Sequence, residues 1–447
     1  MEFVIKIGQF LLSLSLLIVL HELGHFIPAK AFKTRVEKFY LFFDVKYSLF
    51  KKKIGETVYG IGWLPLGGYV KIAGMIDESM DKEQMAKPPQ PWEFRSKPAW
   101  QRLIIMLGGV FVNFVLAYLI YVVLSFAYGD TDITLKSMKD GYQIDNPLLN
   151  DLGFKTGDKI IALDDVKVKS HRDVIKGLVE TEKYTIDRNG EEVTIQLPVD
   201  FLGQLTSRKV KGKLFKVRHP FMVGEIKDTM VNKGIDLKEG DVLLSIDGKD
   251  LKYYDQFEPR MLTYKNQTVN SVFLRGNDTI TRQLKVDSEG FVGIVPMKNP
   301  KRFEELGYYD ITLKEYTFLE SFGGGKDKFV EQVSSYWGQL GKIFNPSTGA
   351  YKGVGGFKAI YDVFPSTWNW ADFWNLTAFL SIMLGVLNLL PIPALDGGHV
   401  MFLLFEMVSG RKPSEKFLEN AQLVGFIILL ALVLFANGND IFKAVFN

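Results

Sequence analysis

Apolar positions along this chain gather into four runs, at residues 3–27, 103–126, 373–390 and 423–435. A helix needs roughly 20 apolar residues to cross a hydrocarbon core. Three runs reach or approach that length; the fourth is short and draws on its flanks, from about 421 to 441. Between about 131 and 326 the pattern changes to short alternating stretches broken by charges and turn residues. The expected fold is an α-helical membrane protein with four transmembrane helices, at about 3–28, 101–127, 372–390 and 421–441. A large extramembrane insert separates the second helix from the third.

The first run is followed by no small-x-small cleavage site and preceded by little charge, so it reads as a retained helix and not a signal peptide. Loop charge orients it. Lys30, Lys33, Arg35, Lys38, Lys46, Lys51, Lys52, Lys53, Lys82 and Lys87 lie between the first two runs, whereas only Lys6 precedes the first. Lys and Arg are enriched on the cytoplasmic side. The first helix therefore ends inside, the insert lies outside, and the third run returns inward to a loop holding Arg411, Lys412 and Lys416. The first and third runs thus finish on one side, and motifs some 370 residues apart can share a depth.

Composition narrows the chemistry. A formal net charge of +3 offers no basic face to nucleic acid. The absence of cysteine removes disulfides, thiolate metal sites and thiol nucleophiles together. Any metal must be held by His, Asp or Glu, and the chain has only five histidines.

Two of those histidines close the first run, in His21-Glu22-Leu23-Gly24-His25. On a helix, positions i and i+4 share a face, so both imidazoles reach one ion while the adjacent Glu22 is free to act as a base toward water. Ionisable groups in a spanning helix cost on the order of 2.5–3.5 kcal/mol each, and a divalent cation such as zinc compensates them. The plain alternative is a helix end meeting interfacial water near Lys30. A catalytic zinc commonly takes three protein ligands. Asp396 is the candidate for the third, in the segment 388–400 after the third run, where Pro391 and Pro393 break the helix and Gly397 and Gly398 permit a tight backbone. His399 is the rival ligand, and a simple helix-capping role is the alternative for Asp396.

HELGH in a first membrane helix, followed by NLLPIPALDGG in a later one, resembles the site-2 protease family of intramembrane zinc metalloproteases (peptidase family M50), and most nearly the bacterial regulator of sigma-E protease type. The segment 58–75 is similar to that family's membrane-reentrant β-hairpin, and 108–114 to its Gly-x-x-x-Asn element. Here Gly108-Gly109 stands where many relatives have Gly-Pro, which leaves the role of Asn113 open. The insert resembles two tandem PDZ-like α/β domains, at 131–215 and 216–300, followed by an amphipathic helical segment at 301–370. They would divide an N-terminal membrane part, 1–130, from a C-terminal one, 371–447, whose metal-ligand loop is 391–399. By this resemblance His21, His25 and Asp396 hold Zn2+ and Glu22 is the general base. Asn388, Gly67, Gly68, Tyr69 and Pro393 would contact the substrate backbone. The implied activity is endopeptidase cleavage of single-span membrane proteins, such as an anti-sigma factor already cut externally or a leftover signal peptide. The implied location is a bacterial cytoplasmic (inner) membrane, with the insert periplasmic and the active site near the cytoplasmic side.

The insert's duplication is legible without the resemblance. Residues 152–168 parallel 233–251, and 187–199 parallel 274–286, at nearly the same offset. Each segment combines a Gly-Asp turn or an Asn-Gly or Gly-Asn hairpin with alternating apolar strands. Such modules either bind an extended peptide by strand addition or exclude large substrates; His171 and His219 within them read as surface residues. The competing functional classes are a catalytically inactive PDZ-bearing membrane scaffold, against which Glu22 argues, and a transporter, against which the lack of paired half-repeats argues.

Overall fold

The computed structural model describes residues 2–65, 67–75, 88–178, 180–207, 214–226 and 231–446, which leaves Lys82 and Lys87 outside the described residues. The chain divides into two units: residues 1–129, 315–346 and 351–447 form one, and residues 130–314 and 347–350 the other.

Among the described residues of the first unit four helices are long and apolar enough to cross a membrane: α1 (Glu2–Ala31), α2 (Ala99–Tyr128), α4 (Trp370–Asn388) and α6 (Glu415–Phe446). α1, α2 and α6 extend to either side of the expected spans, whereas α4 starts two residues before its expected span and ends two residues short of it, ahead of Pro391. Between them lie α3 (Phe318–Phe344) and α5 (Asp396–Ser409). The start of α3 is fixed by a capping box in which Thr317 and Glu320 satisfy each other's backbone groups. Its buried face, with Tyr336 and Leu340, packs against Ala117, Ile120, Tyr121 and Leu124 of α2 and Ala378, Ile382 and Val386 of α4. Polar bonds lock the helices at depth: Thr377 donates to Ser13 Oγ at 3.0 Å, and Ser381 to the Asn113 carbonyl at 2.8 Å. At the basic end, Arg102 of α2 pairs with Glu406 of α5 at 2.5 Å.

Against α1 stands a four-stranded sheet of β1 (Val36–Leu41), β2 (Phe43–Ile54), β3 (Thr57–Leu64) and β4 (Tyr69–Ile72), in the order β2-β3-β1-β4. The segment 58–75 does not pair with itself as the expected hairpin. β1 lies between its two halves, parallel to β3 and antiparallel to β4. The physical reason is local: Pro65 and Gly67-Gly68 make a connection that crosses an intervening strand in place of a tight two-residue turn. Phe26 of α1 packs on Phe39 and Tyr59, ring centroids 5.4 and 6.0 Å away, which fixes the sheet to the helix.

The second unit is duplicated. One sheet runs in spatial order Glu191–Gln196, Lys183–Arg188, Lys159–Leu163, Val166–Lys167; the other runs Asp278–Lys285, Thr268–Arg275, Val242–Ile246, Lys249–Asp250. Each has an irregularity at the same place, at 160–162 and at 243–245. Each also pairs a strand Arg with the buried Asp of its Gly-Asp turn: Arg188 with Asp158 at 2.8 Å, and Arg275 with Asp241 at 2.7 Å. The two histidines of this unit are half-buried, each against an aromatic ring. The His171 ring meets the Tyr142 hydroxyl at 3.0 Å, and His219 lies between the rings of Tyr254 and Phe303, 5.7 and 5.3 Å away and nearly parallel to both.

Candidate metal centre

His21 and His25 face one way because four helical positions return a side chain to the same stripe. That stripe is turned toward α2, where glycines make room: a Cβ on Gly109 would lie 2.4 Å from His25 Nε2 and 2.6 Å from His21 Cε1. Gly24 and Gly108 touch backbone to backbone, since a Cβ on Gly24 would meet the Gly108 carbonyl oxygen at 2.3 Å. The two helices thus cross at the histidines.

α4 ends at Asn388, and the chain turns through Pro391 and Pro393 into α5. Ala394 holds a left-handed φ of 83°, strained for a residue with a Cβ, and Gln422 of α6 braces it by accepting its N–H at 3.1 Å. Gly397 and Gly398 cannot carry a Cβ, which would meet Leu389 O at 2.4 Å and Ile392 O at 2.6 Å. Asp396 is the first residue of α5, not a loop residue, and the cap position is Leu395, with no side-chain cap bond. The capping role is therefore excluded, and the carboxylate is free to point into the bundle.

His21 Nε2, His25 Nε2 and Asp396 Oδ2 converge: the two nitrogens are 3.3 Å apart, and Oδ2 lies 3.4 Å from the first and 3.3 Å from the second. Among the described residues they form a set of donors able to hold one metal ion. Among the described residues Asp396 Oδ2 is buried with no hydrogen-bond partner, a cost that an ion in the middle would remove. Edges of this length are those of a tetrahedron with bonds of about 2.0–2.1 Å, the range for zinc with nitrogen and oxygen ligands. The donor set therefore fits zinc. His399 lines the same cavity but is not in the triangle.

Surrounding groups hold the ligands. His25 Nδ1 lies 2.8 Å from the Ile105 carbonyl, which takes its proton and leaves Nε2 as the donor to metal. His21 Nδ1 lies 3.0 Å from the Asn113 amide. Asn113 thus has a place that the sequence left open; the signal for it was the Gly-x-x-x-Asn spacing. Gly109, Ile105 and Gln422 were missed, because their roles depend on helix crossings and backbone atoms.

A cavity of about 610 Å³ holds the triangle, and its lining includes Glu22, Gly67, Gly68, Tyr69, Asn388 and Gln422. The Val70 N–H points at the Glu22 carboxylate, and a Cβ on Gly68 would press on Ile18 and the Tyr40 carbonyl, so β4 lies directly against the site. Pro393 is not in the lining; its carbonyl instead packs on α6, where a Cβ on Gly425 would be 1.6 Å from it.

Comparison with known proteins gives the family. The family model for peptidase family M50 matches residues 9–432. A protein of Fusobacterium nucleatum described as a "putative zinc metalloprotease" is 29% identical over 443 residues, 97% of each chain. Relatives with the same description in Clostridium perfringens and Neisseria meningitidis are 25% and 26% identical, covering 96% and 97% of this chain and 97% and 98% of their own length.

Proposed function

This chain belongs to peptidase family M50, and from that premise we propose that it cuts peptide bonds of single-span membrane proteins within the membrane. It is a zinc metalloprotease and an integral membrane protein. The observation that carries the proposal is the triangle of His21, His25 and Asp396, with Glu22 beside it in one cavity among membrane-length helices.

His21, His25 and Asp396 would hold the ion. When bound, zinc supplies a Lewis acid for the scissile carbonyl and lowers the pKa of water to about 7. Glu22, oriented by the Val70 N–H, takes the proton of the attacking water and returns it to the leaving nitrogen. Asn388 lines the cavity, and its amide suits the developing oxyanion. A substrate helix shields its own peptide bonds, so it must unwind. The edge of β4 away from β1 offers backbone groups to replace the lost hydrogen bonds. Gly67, Gly68 and Tyr69 would lie along that strand, and the sheet would enter the membrane from the cytoplasmic side as the reentrant element.

The two repeats of the insert are read as PDZ-like domains on the periplasmic side of a bacterial inner membrane, either binding an extended peptide or excluding large proteins. The substrate class this favours is a membrane-tethered segment already shortened outside, such as an anti-sigma factor or a leftover signal peptide. Glu22 argues against an inactive scaffold, which needs no base.

The test is cleavage of a single-span substrate in proteoliposomes together with metal analysis. Wild type should contain one zinc and cleave. His21→Ala should lose the metal. Glu22→Gln should keep it and lose activity by about 10²–10⁴-fold. Undiminished turnover by Glu22→Gln would refute the assignment of the base.

A further inference from the structure

The cavity contains a charged group that the mechanism above does not use. Lys38 and Tyr40 of β1 point to the sheet face opposite Phe39, and so away from Phe26 of α1. On that face the Tyr69 hydroxyl donates to Asp44 Oδ1 at 2.7 Å, and Lys38 Nζ donates to the Tyr69 hydroxyl oxygen at 3.1 Å. Lys38 Nζ lies 3.5 Å from Asp44 Oδ2. The position of Tyr69 is not loose: its ring is held between those of Tyr40 and Phe43, at 5.4 and 6.1 Å and nearly parallel to both.

The group lies beside the site. Gly68, next to Tyr69, abuts Ile18 and Glu22. This pair is also incomplete. An ammonium has three donors, and among the described residues that of Lys38 makes one hydrogen bond, to Tyr69. Its side chain is 41% exposed and that of Asp44 21%, and both line the cavity that holds Glu22 and the zinc ligands.

What fills that capacity follows from the sheet. The Val70 N–H points outward to Glu22, so the neighbouring Tyr69 and Lys71 bond inward to β1. A strand laid on the outer edge of β4 alternates its side chains between the two faces, and every second one stands beside Tyr69 or Lys71. An all-apolar segment there would cover the Lys38 donors without replacing their water, whereas a Ser, Thr, Asn or Gln side chain supplies an acceptor.

We infer that Lys38, Asp44 and Tyr69 form a specificity subsite, selecting membrane segments that carry one hydrogen-bonding side chain near the scissile bond. The inference rests on the endopeptidase reading above. Lys38 binds the acceptor, Asp44 accepts from an amide or hydroxyl, and Tyr69 positions both.

The experiment uses the full chain in proteoliposomes with two sets of single-span substrates: an all-Leu/Ala span, and the same span with one Asn moved through successive positions. kcat/KM is measured for wild type, Lys38→Met and Tyr69→Phe, with zinc content determined in each. Wild type should prefer Asn at one register by about five- to tenfold. Lys38→Met should flatten that preference while retaining zinc, and Tyr69→Phe should reduce it by a smaller factor. If wild type shows no preferred register, or if Lys38→Met keeps the same preference, the subsite is overturned while the endopeptidase reading stands. If wild type cleaves none of the spans, both fall together. Should Lys38→Met lose zinc, the comparison of wild type with Tyr69→Phe decides.

Discussion

Asn113 Nδ2 lies 3.0 Å from Nδ1 of His21, while Oδ1 of the same amide is buried with no partner among the described residues. A histidine that binds metal through Nε2 carries its proton on Nδ1 and needs an acceptor there. A half-turn of the Asn113 amide brings Oδ1 to that place, so zinc binding and the amide orientation are coupled. Asn113→Ala should weaken zinc by about 10–100-fold, measured by competition with a chelator, whereas Asn113→Asp, which keeps an acceptor, should retain most of it. Equal zinc affinity in wild type and Asn113→Ala would rule out this coupling.

Gly109 gives a sharper test of how the site is packed. The Cβ of Gly109→Ala would overlap both imidazoles, at 2.4 and 2.6 Å, and neither ring has an escape while Ile105 and Asn113 hold their far sides. Zinc occupancy and activity should fall together by at least about tenfold. Gly8→Ala on the same α1 helix as the histidines meets nothing within 4 Å and should leave both unchanged.

How far the sequence reveals this site depends on the distance over which each constraint acts. The spans and the His21–His25 stripe are local, set by apolar run length and by helical repeat, and both are readable. The insert's repeat is readable too, because Gly-Asp turns and hairpins recur at one offset and the same strand order follows from each. The sheet beside α1 is another matter. Its parallel pairing of Lys38 with Val58 and of Tyr40 with Gly60 joins segments about 20 residues apart, with no periodic signal. Helix α5 was expected to begin only near His399, after a loop that includes Asp396, but its first turn starts at Asp396 itself, so the ligand sits on the helix and not before it. Lys38 reads as a loop charge and nothing in the sequence singles out Asp44; only their convergence on Tyr69 gives them a role.

In the insert, His219 sets a pH dependence. Burial between Tyr254 and Phe303 pushes its imidazole below the ordinary value near 6.5. The unfolded chain therefore binds a proton at a pH where the folded one does not, and stability falls as pH drops below about 6.5, levelling off only below the folded value. Hydrogen exchange of the amides in Val223–Ile226 and of Ile294 and Val295 should accelerate, relative to intrinsic rates, between pH 7 and the acid side. His219→Phe preserves the ring stack and should abolish that extra acceleration; a profile identical to wild type would assign the effect elsewhere.

α6 bears two glycines whose contrast tests whether this helix supports the metal ligand. Gly438 has nothing within 4 Å of a would-be Cβ, whereas at Gly425 the Cβ would lie 1.6 Å from the Pro393 carbonyl oxygen, three residues before Asp396. Gly438→Ala should be neutral or stabilising, by up to about 1 kcal/mol from helix propensity. Gly425→Ala has the same propensity gain but must push the helix off the Pro393–Ala394 turn, which Gln422 braces through Ala394 N–H at 3.1 Å. The turn carries Asp396, so its displacement should lower zinc retention and kcat together while the insert melts as before. If Gly425→Ala retains zinc as well as Gly438→Ala does, Asp396 is held by its own helix alone, and α6 has no part in shaping the centre.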